Sequence, residues 1–169
     1  MSVLLKNIIR FVLLLLIQVL VLNQVIIHNL VNPYIYMLFI LLLPFNLPRP
    51  AVQLLGLLLG LSLDMFMDTM GIHAAACVFI AYLRPFILNV LSPQGGFEVT
   101  QKTPSITSMG TSQFATYVSI LVFLHNIVYF SLEVFSFSSP FYLLLKILVS
   151  TAASLALILI YELLFFARK

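Results

Sequence analysis

Gly56-Leu57-Leu58-Leu59-Gly60-Leu61-Ser62-Leu63-Asp64-Met65-Phe66-Met67-Asp68-Thr69-Met70-Gly71-Ile72-His73 joins two long apolar runs, 51–67 before it and 72–91 after it, across four residues of polar punctuation. Apolar runs of this length, with their charges confined to the breaks, are the mark of a helix pair that crosses a bilayer, which needs about 20 apolar residues per helix. The same pattern extends over the whole chain. Hydrophobic residues make up 63% of the 169 and charged residues only 8%, with a mean hydropathy of +1.18; a soluble domain carries ~25% charged residues. The sequence therefore describes an integral membrane protein with one compact domain and no room for a separate soluble module.

Read outward from this pair, the chain predicts an all-α bundle of six transmembrane helices, with spans at about 8–27, 34–47, 51–67, 72–91, 113–133 and 141–166. The first run is longer than a signal-peptide core and lacks a small-x-small cleavage site, so it is expected to stay attached. The second is the weakest, being short and broken by Pro44, and two readings compete for it: a thin helical span, or one arm of a re-entrant hairpin over 34–67. The hairpin would leave Arg49 deep in hydrocarbon, which favours two spans. With the N-terminus inside, Lys6, Arg10, Arg49, Arg84, Lys102, Arg168 and Lys169 lie on or toward the inner side and only Lys146 lies outside. This basic asymmetry predicts cytoplasmic termini and an even number of spans. Residues 92–112, with Pro93, Gly95, Gly96, Pro104 and Gly110, are expected to form an irregular inner loop, either a plain connection or a docking surface. The net charge of +3 is spread thinly along the chain, so it reads as a topology signal, with no nucleic-acid partner implied. Cys77, the single cysteine, reads as packing.

Gly56, Gly60, Asp64 and Asp68 recur every fourth residue and form a drifting stripe on one helix face. Small residues at that spacing admit a close second helix, either a partner's or one of this chain. Asp64, Asp68 and His73 are metal-ligand types without a defensible ligand spacing; the simpler reading has Asp68 or Thr69 capping the helix that follows and Asp64 bonding locally. His125, Tyr129 and Glu133 form a second polar stripe, and Lys146, Ser150 and Ser154 a third. If they face each other, Glu133 and Lys146 pair near the outer interface, as structural glue or as part of a proton or substrate path. Arg84, before Pro85, is expected to snorkel to the inner headgroups. There is no H-E-x-x-H, no G-x-S-x-G and no phosphate-binding glycine loop, so neither catalysis nor a cofactor is indicated.

The order Gly56, Gly60, Asp64, Phe66, Thr69, Gly71, His73, Ala74 resembles the MreD family of bacterial rod-shape-determining membrane proteins. The similarity continues through Cys77-Val78-Phe79-Ile80-Ala81-Tyr82-Leu83-Arg84-Pro85, the loop Pro93-Gln94-Gly95-Gly96-Phe97-Glu98, and Leu5-Lys6-Asn7-Ile8-Ile9-Arg10-Phe11. The resemblance implies a non-enzymatic scaffold subunit of the cell-elongation machinery in the inner membrane. Its implied partners are the transmembrane helix of MreC, the MreB filaments and the peptidoglycan glycosyltransferase and transpeptidase pair, besides membrane lipids. It also implies a fold similar to the substrate-binding subunits of energy-coupling-factor transporters. That likeness suggests the alternative of a small-molecule or lipid binding subunit of a transporter; a membrane enzyme acting on lipid-linked intermediates is the third reading. Gly56, Gly60 and the region of Asp64, Asp68 and His73 are the candidate partner-facing or pocket-lining surface.

Overall fold

A computed structural model describes residues 3–24, 31–92, 103–134 and 140–165. Lys102, Arg168, Lys169 and the 93–98 loop motif lie outside the described residues. All regular structure among the described residues is helical: α1 (Val3–Leu20), extended by a 3-10 turn at Leu22–Gln24; α2 (Leu38–Leu41); α3 (Arg49–Met67); α4 (Ile72–Leu91); α5 (Ile106–Met109); α6 (Thr111–Val134); and α7 (Pro140–Phe165). Five of these segments are long and apolar enough to cross a membrane: Leu5–Gln24, Arg49–Met67, Ile72–Leu91, Thr111–Val134 and Pro140–Leu164. The protein is a membrane protein built as a helical bundle.

The helix pair around the opening stretch forms as its sequence dictates. Pro48 is the N-cap of α3 and Pro50 sits in its first turn, where a missing N–H costs nothing. Asp68 ends α3 in the left-handed region (φ 54°), and Gly71 (φ 84°) turns the chain into α4. The two helices then lie antiparallel, with Asp68 marking one end of the bundle and Arg49 the other. α6 packs on α4, and α7 on α6.

The run at 34–47 departs from expectation. It is not a helical span, since its only helix is the four-residue α2. Residues 34–43 are nevertheless all buried, none more than 7% exposed, and they thread the middle of the bundle. Tyr36 meets His73 near the start of α4 and Leu43 meets Arg84 eleven residues along the same helix, a displacement of about 16 Å. The reason lies in the prolines. Pro33 and Pro44 leave ten residues between them, and ten residues of helix would cover only about 15 Å, half of a hydrocarbon core of about 30 Å. The run therefore enters as extended chain over 32–35, which covers about twice as much per residue, and keeps only a short helical stretch over 36–42 before Pro44, at the cost of backbone groups at either end without helical partners. Non-helical backbone is tolerated at membrane depth where protein surrounds it, and here it does.

Within the 92–112 connection, the described stretch 103–112 also differs from a structureless loop. Ser105 caps α5 through a reciprocal capping box with Ser108, and Pro104, Ser105 and Met109 are buried.

Candidate functional site

Gln18, His73, Arg84, His125, Ser150 and Ser154, half of the buried polar side chains among the described residues, bond to residues 32–43. Ser150 and Ser154 of α7 accept from the Asn32 and Tyr34 N–H groups at 3.1 and 2.9 Å. Gln18 of α1 makes a two-way contact, donating through Nε2 to the Pro33 carbonyl (3.2 Å) and accepting the Ile35 N–H on Oε1 (3.0 Å). Further along, the Tyr117 hydroxyl donates to the Leu41 carbonyl (3.0 Å), Arg10 Nη1 to the Leu42 carbonyl (3.2 Å), and Arg84 Nη2 to the Leu43 carbonyl. Side chains from α1, α4, α6 and α7 thus satisfy backbone groups at 32–35 and 41–43, while between them the N–H groups of Leu38, Phe39, Leu41, Leu42 and Leu43 bond carbonyls three or four residues back within the segment. Leaving a buried backbone group unpaired would cost about 1–3 kcal/mol.

At the centre, the Tyr36 hydroxyl lies between His73 Nδ1 (2.8 Å) and His125 Nε2 (2.9 Å). The Asn126 amide donates to Thr151 Oγ1 at 2.9 Å, which turns its Oδ1 toward His125 Nδ1 at 3.3 Å. In a neutral imidazole one nitrogen donates and the other accepts. His125 then donates through Nδ1 and accepts the Tyr36 proton on Nε2, so His73 Nδ1 must donate to the Tyr36 oxygen. This order leaves the buried His73 Nε2 as an acceptor without a partner. Tyr34 and Tyr129 enclose the group edge-on and tilted, with ring centroids 4.6–4.9 Å apart for the His73–Tyr129 and Tyr34–Tyr129 pairs.

Asp64 is a cap for the neighbouring helix. Its carboxylate accepts the His73 and Ala74 N–H groups at 3.0 and 2.9 Å and the Thr69 hydroxyl at 2.5 Å, so it occupies the exposed donors of the first turn of α4. The expected cap at Asp68 or Thr69 is therefore corrected: Asp68 is exposed, and Thr69 bonds to the carboxylate that caps. Asp64, Asp68 and His73 do not converge as ligands, and no group of three or more metal-ligating residues occurs among the described residues.

The glycine stripe is filled by this chain. A Cβ on Gly60 would stand 2.6 Å from the Ala74 nitrogen, and one on Gly56 3.1 Å from the Cys77 carbonyl oxygen and from Ala81 Cβ. Gly56 and Gly60 are thus the seat of α4, not a face open to a partner. The polar stripes of α6 and α7 meet directly at Glu133 and Lys146, whose Oε2 and Nζ are 2.6 Å apart; at His125, Ser150 and Ser154 the 32–36 segment runs between them, and Asn126 and Thr151, outside both stripes, bond beside it. Arg84 does not snorkel. It is 2% exposed and bonds Tyr117 as well as Leu43.

Beside this interior, a cavity of about 220 Å³ opens at the Asp68 end, lined among others by Gln18, Asn23, Asn32, Thr69, Tyr129 and Glu133. Asn32, one of its lining residues, carries a buried Oδ1 without a hydrogen-bond partner. The sequence reading missed Gln18, Tyr36, Asn126, Thr151 and Glu162, each of which was visible as a polar residue within or beside an apolar run. Glu162, fully buried, accepts the Ile106 N–H at 3.1 Å and so ties α7 to α5. Searches against protein-family models, curated proteins and solved structures find no match to this chain.

Proposed function

We propose that this protein is a non-enzymatic scaffold subunit of the bacterial cell-elongation complex, of the MreD kind, acting in cell-shape maintenance by helix packing in the inner membrane. The observation that carries the reading is the use of the interior polar side chains. Serine, glutamine, tyrosine and arginine groups that a catalyst would keep for a substrate hold the protein's own backbone instead, while the exterior is apolar, with Leu5, Ile8, Val12, Leu13, Leu16 and Leu20 of α1 all exposed. The residue pattern shared with the MreD family supplies the choice of complex. On this reading the chain crosses six times, five times as long helices and once as the threaded segment, with both termini and the Arg49 end cytoplasmic.

Since α4 fills the glycine stripe, the partner seat moves. The groove of about 290 Å³ between α1 and α7, lined by Ile9, Leu13, Leu14, Ile17 and Tyr161 with Lys6 and Arg10, is the candidate seat for the MreC transmembrane helix. MreB and the peptidoglycan-synthesising pair join directly or through MreC. Affinity purification from native membranes in mild detergent tests this: MreC should co-purify without any turnover, and its absence would remove the reading. Topology is tested by thiol labelling of intact cells, in which the buried Cys77 stays silent. Met70→Cys should label from outside and Ser112→Cys should not; the opposite pattern would reverse the orientation.

A small-molecule binding subunit of a transporter is the second reading, favoured by the polar cavity at the Asp68 end and by the unpartnered Asn32 Oδ1. It requires a ligand to be retained through purification and an ATPase partner in the pull-down.

A further inference from the structure

The Arg49 end of the bundle holds a cavity of about 230 Å³ with two arginines in its wall, Arg49 and Arg84, among the apolar side chains of Phe45, Leu47, Val52 and Leu88. Arg84 is buried, yet its hydrogen bonds go to a tyrosine hydroxyl and a backbone carbonyl, both neutral. Among the described residues no carboxylate pairs with either arginine: Glu133 pairs with Lys146, Asp64 caps α4 and Glu162 bonds α5. A guanidinium out of water without a counter-charge is costly, and here it borders a space large enough to admit one. The carbonyl end of α4 also adjoins the cavity through Asn89 and Ser92, but it carries a fraction of a charge against two full positive charges.

The position of the mouth selects the anion. Arg49 is exposed at the first residue of α3 and its guanidinium lies 5.4 Å from the centre of the Phe86 ring, while Phe86 and Val90 are exposed apolar residues on the outside of α4. The opening therefore adjoins the lipid-facing wall near a helix end, the level at which headgroups sit. Arg84 lies seven residues inside the end of α4, about 10 Å deeper, so one arginine guards the rim and the other the floor. The planar fork of arginine suits phosphate oxygens, and basic pockets between membrane helices take anionic headgroups.

We propose that this cavity binds the phosphate of an anionic membrane lipid, with Arg49 at the rim and Arg84 as the buried contact. The test uses the full chain and native mass spectrometry with phosphatidylglycerol and phosphatidylcholine as probes. Phosphatidylglycerol should be retained at least about tenfold better, and Arg49→Gln should weaken that retention about tenfold, the worth of one charged hydrogen bond. Because Arg84 also holds Leu43, Arg49→Gln is the deciding variant, and Arg84→Lys, which keeps the charge but loses the fork, should give a smaller loss. Met70→Glu, which lowers the net charge by the same one unit at a fully exposed position on the opposite end of the bundle, should leave lipid retention unchanged. Equal retention of the two lipids, or an equal loss with Met70→Glu and Arg49→Gln, would overturn the proposal. A parallel arm titrates inorganic phosphate into protein held in phosphatidylcholine alone; thermal stabilisation there, without selective retention of phosphatidylglycerol, would assign the site to a soluble phosphate and overturn the lipid.

Discussion

At the α3–α4 seam the two backbones meet with nothing between them, and a single Cβ at Gly60 would collide with Ala74; the 32–43 segment lies in the same bundle at similar depth and is held by side chains reaching from four helices. The seam is van der Waals packing between elements that satisfy their own hydrogen bonds. The segment is the reverse at its two ends, since backbone groups at 32–35 and 41–43 are satisfied only after the helices have assembled around it, and only the short stretch between bonds within itself. In a membrane, where water cannot complete an unpaired group, the first arrangement needs small residues and the second needs well-placed polar ones.

The sharpest way to break this contrast is at Gly60. Gly60→Leu should displace α4 and remove the protein from the membrane or collapse its thermal stability in detergent; normal accumulation would mean that the helices can separate. Gly60→Ala should cost about 1–3 kcal/mol, as overpacking does, and Gly56→Ala, at 3.1 Å, less.

Next comes Gln18. Gln18→Leu keeps the volume and makes the site more apolar but strands the Pro33 carbonyl and the Ile35 N–H, at about 1–3 kcal/mol for each group. Thermal unfolding in detergent should show the loss, and hydrogen exchange at Ile35 should rise. Unchanged exchange there would show that Gln18 is dispensable to the segment.

Asp64→Ala should cost about 0.5–2 kcal/mol, the worth of an N-cap, and Asp64→Asn should recover part of it, because an amide oxygen still accepts one N–H. If both substitutions are equally harmless, the carboxylate does not tie the α3–α4 turn together.

The smallest effect belongs to the ion pair. Glu133 and Lys146 sit at the Asp68 end with side-chain exposures of 32% and 11%, and pairs with such solvent access are worth about 0–1 kcal/mol. Glu133→Lys and Lys146→Glu should each lower stability, and the double swap should recover it; strict additivity of the two losses would dissolve the pair.

The two regions also differ in how much of them can be read from the chain. The α3–α4 hairpin is written in neighbours: the Gly56–Gly60 repeat, the punctuation at 68–71 and two apolar runs of the right length identify it, though not whose helix fills the stripe. The ion pair follows from two charges flanking one short connection. The segment has no such record. Its bonds join Asn32 to Ser150 and Tyr34 to Ser154, 118 and 120 residues apart, and nothing in the local pattern of 34–47 separates a spanning helix from one that stops after a short stretch.

By itself, then, the amino-acid order determined the solvent, because apolar runs of helix length with their charges at the ends have nowhere stable but a bilayer. It also determined the long helices, from run length and proline or glycine punctuation, and the charge asymmetry between the bundle's ends. Only the tertiary structure decided that the second run is not a spanning helix, that Asp64 caps a helix other than its own, that α4 occupies the glycine stripe, and that Arg84 turns inward beside a cavity. Each of those outcomes depends on which groups from distant parts of the chain arrive within hydrogen-bonding or packing distance, and that information exists only once the helices are side by side.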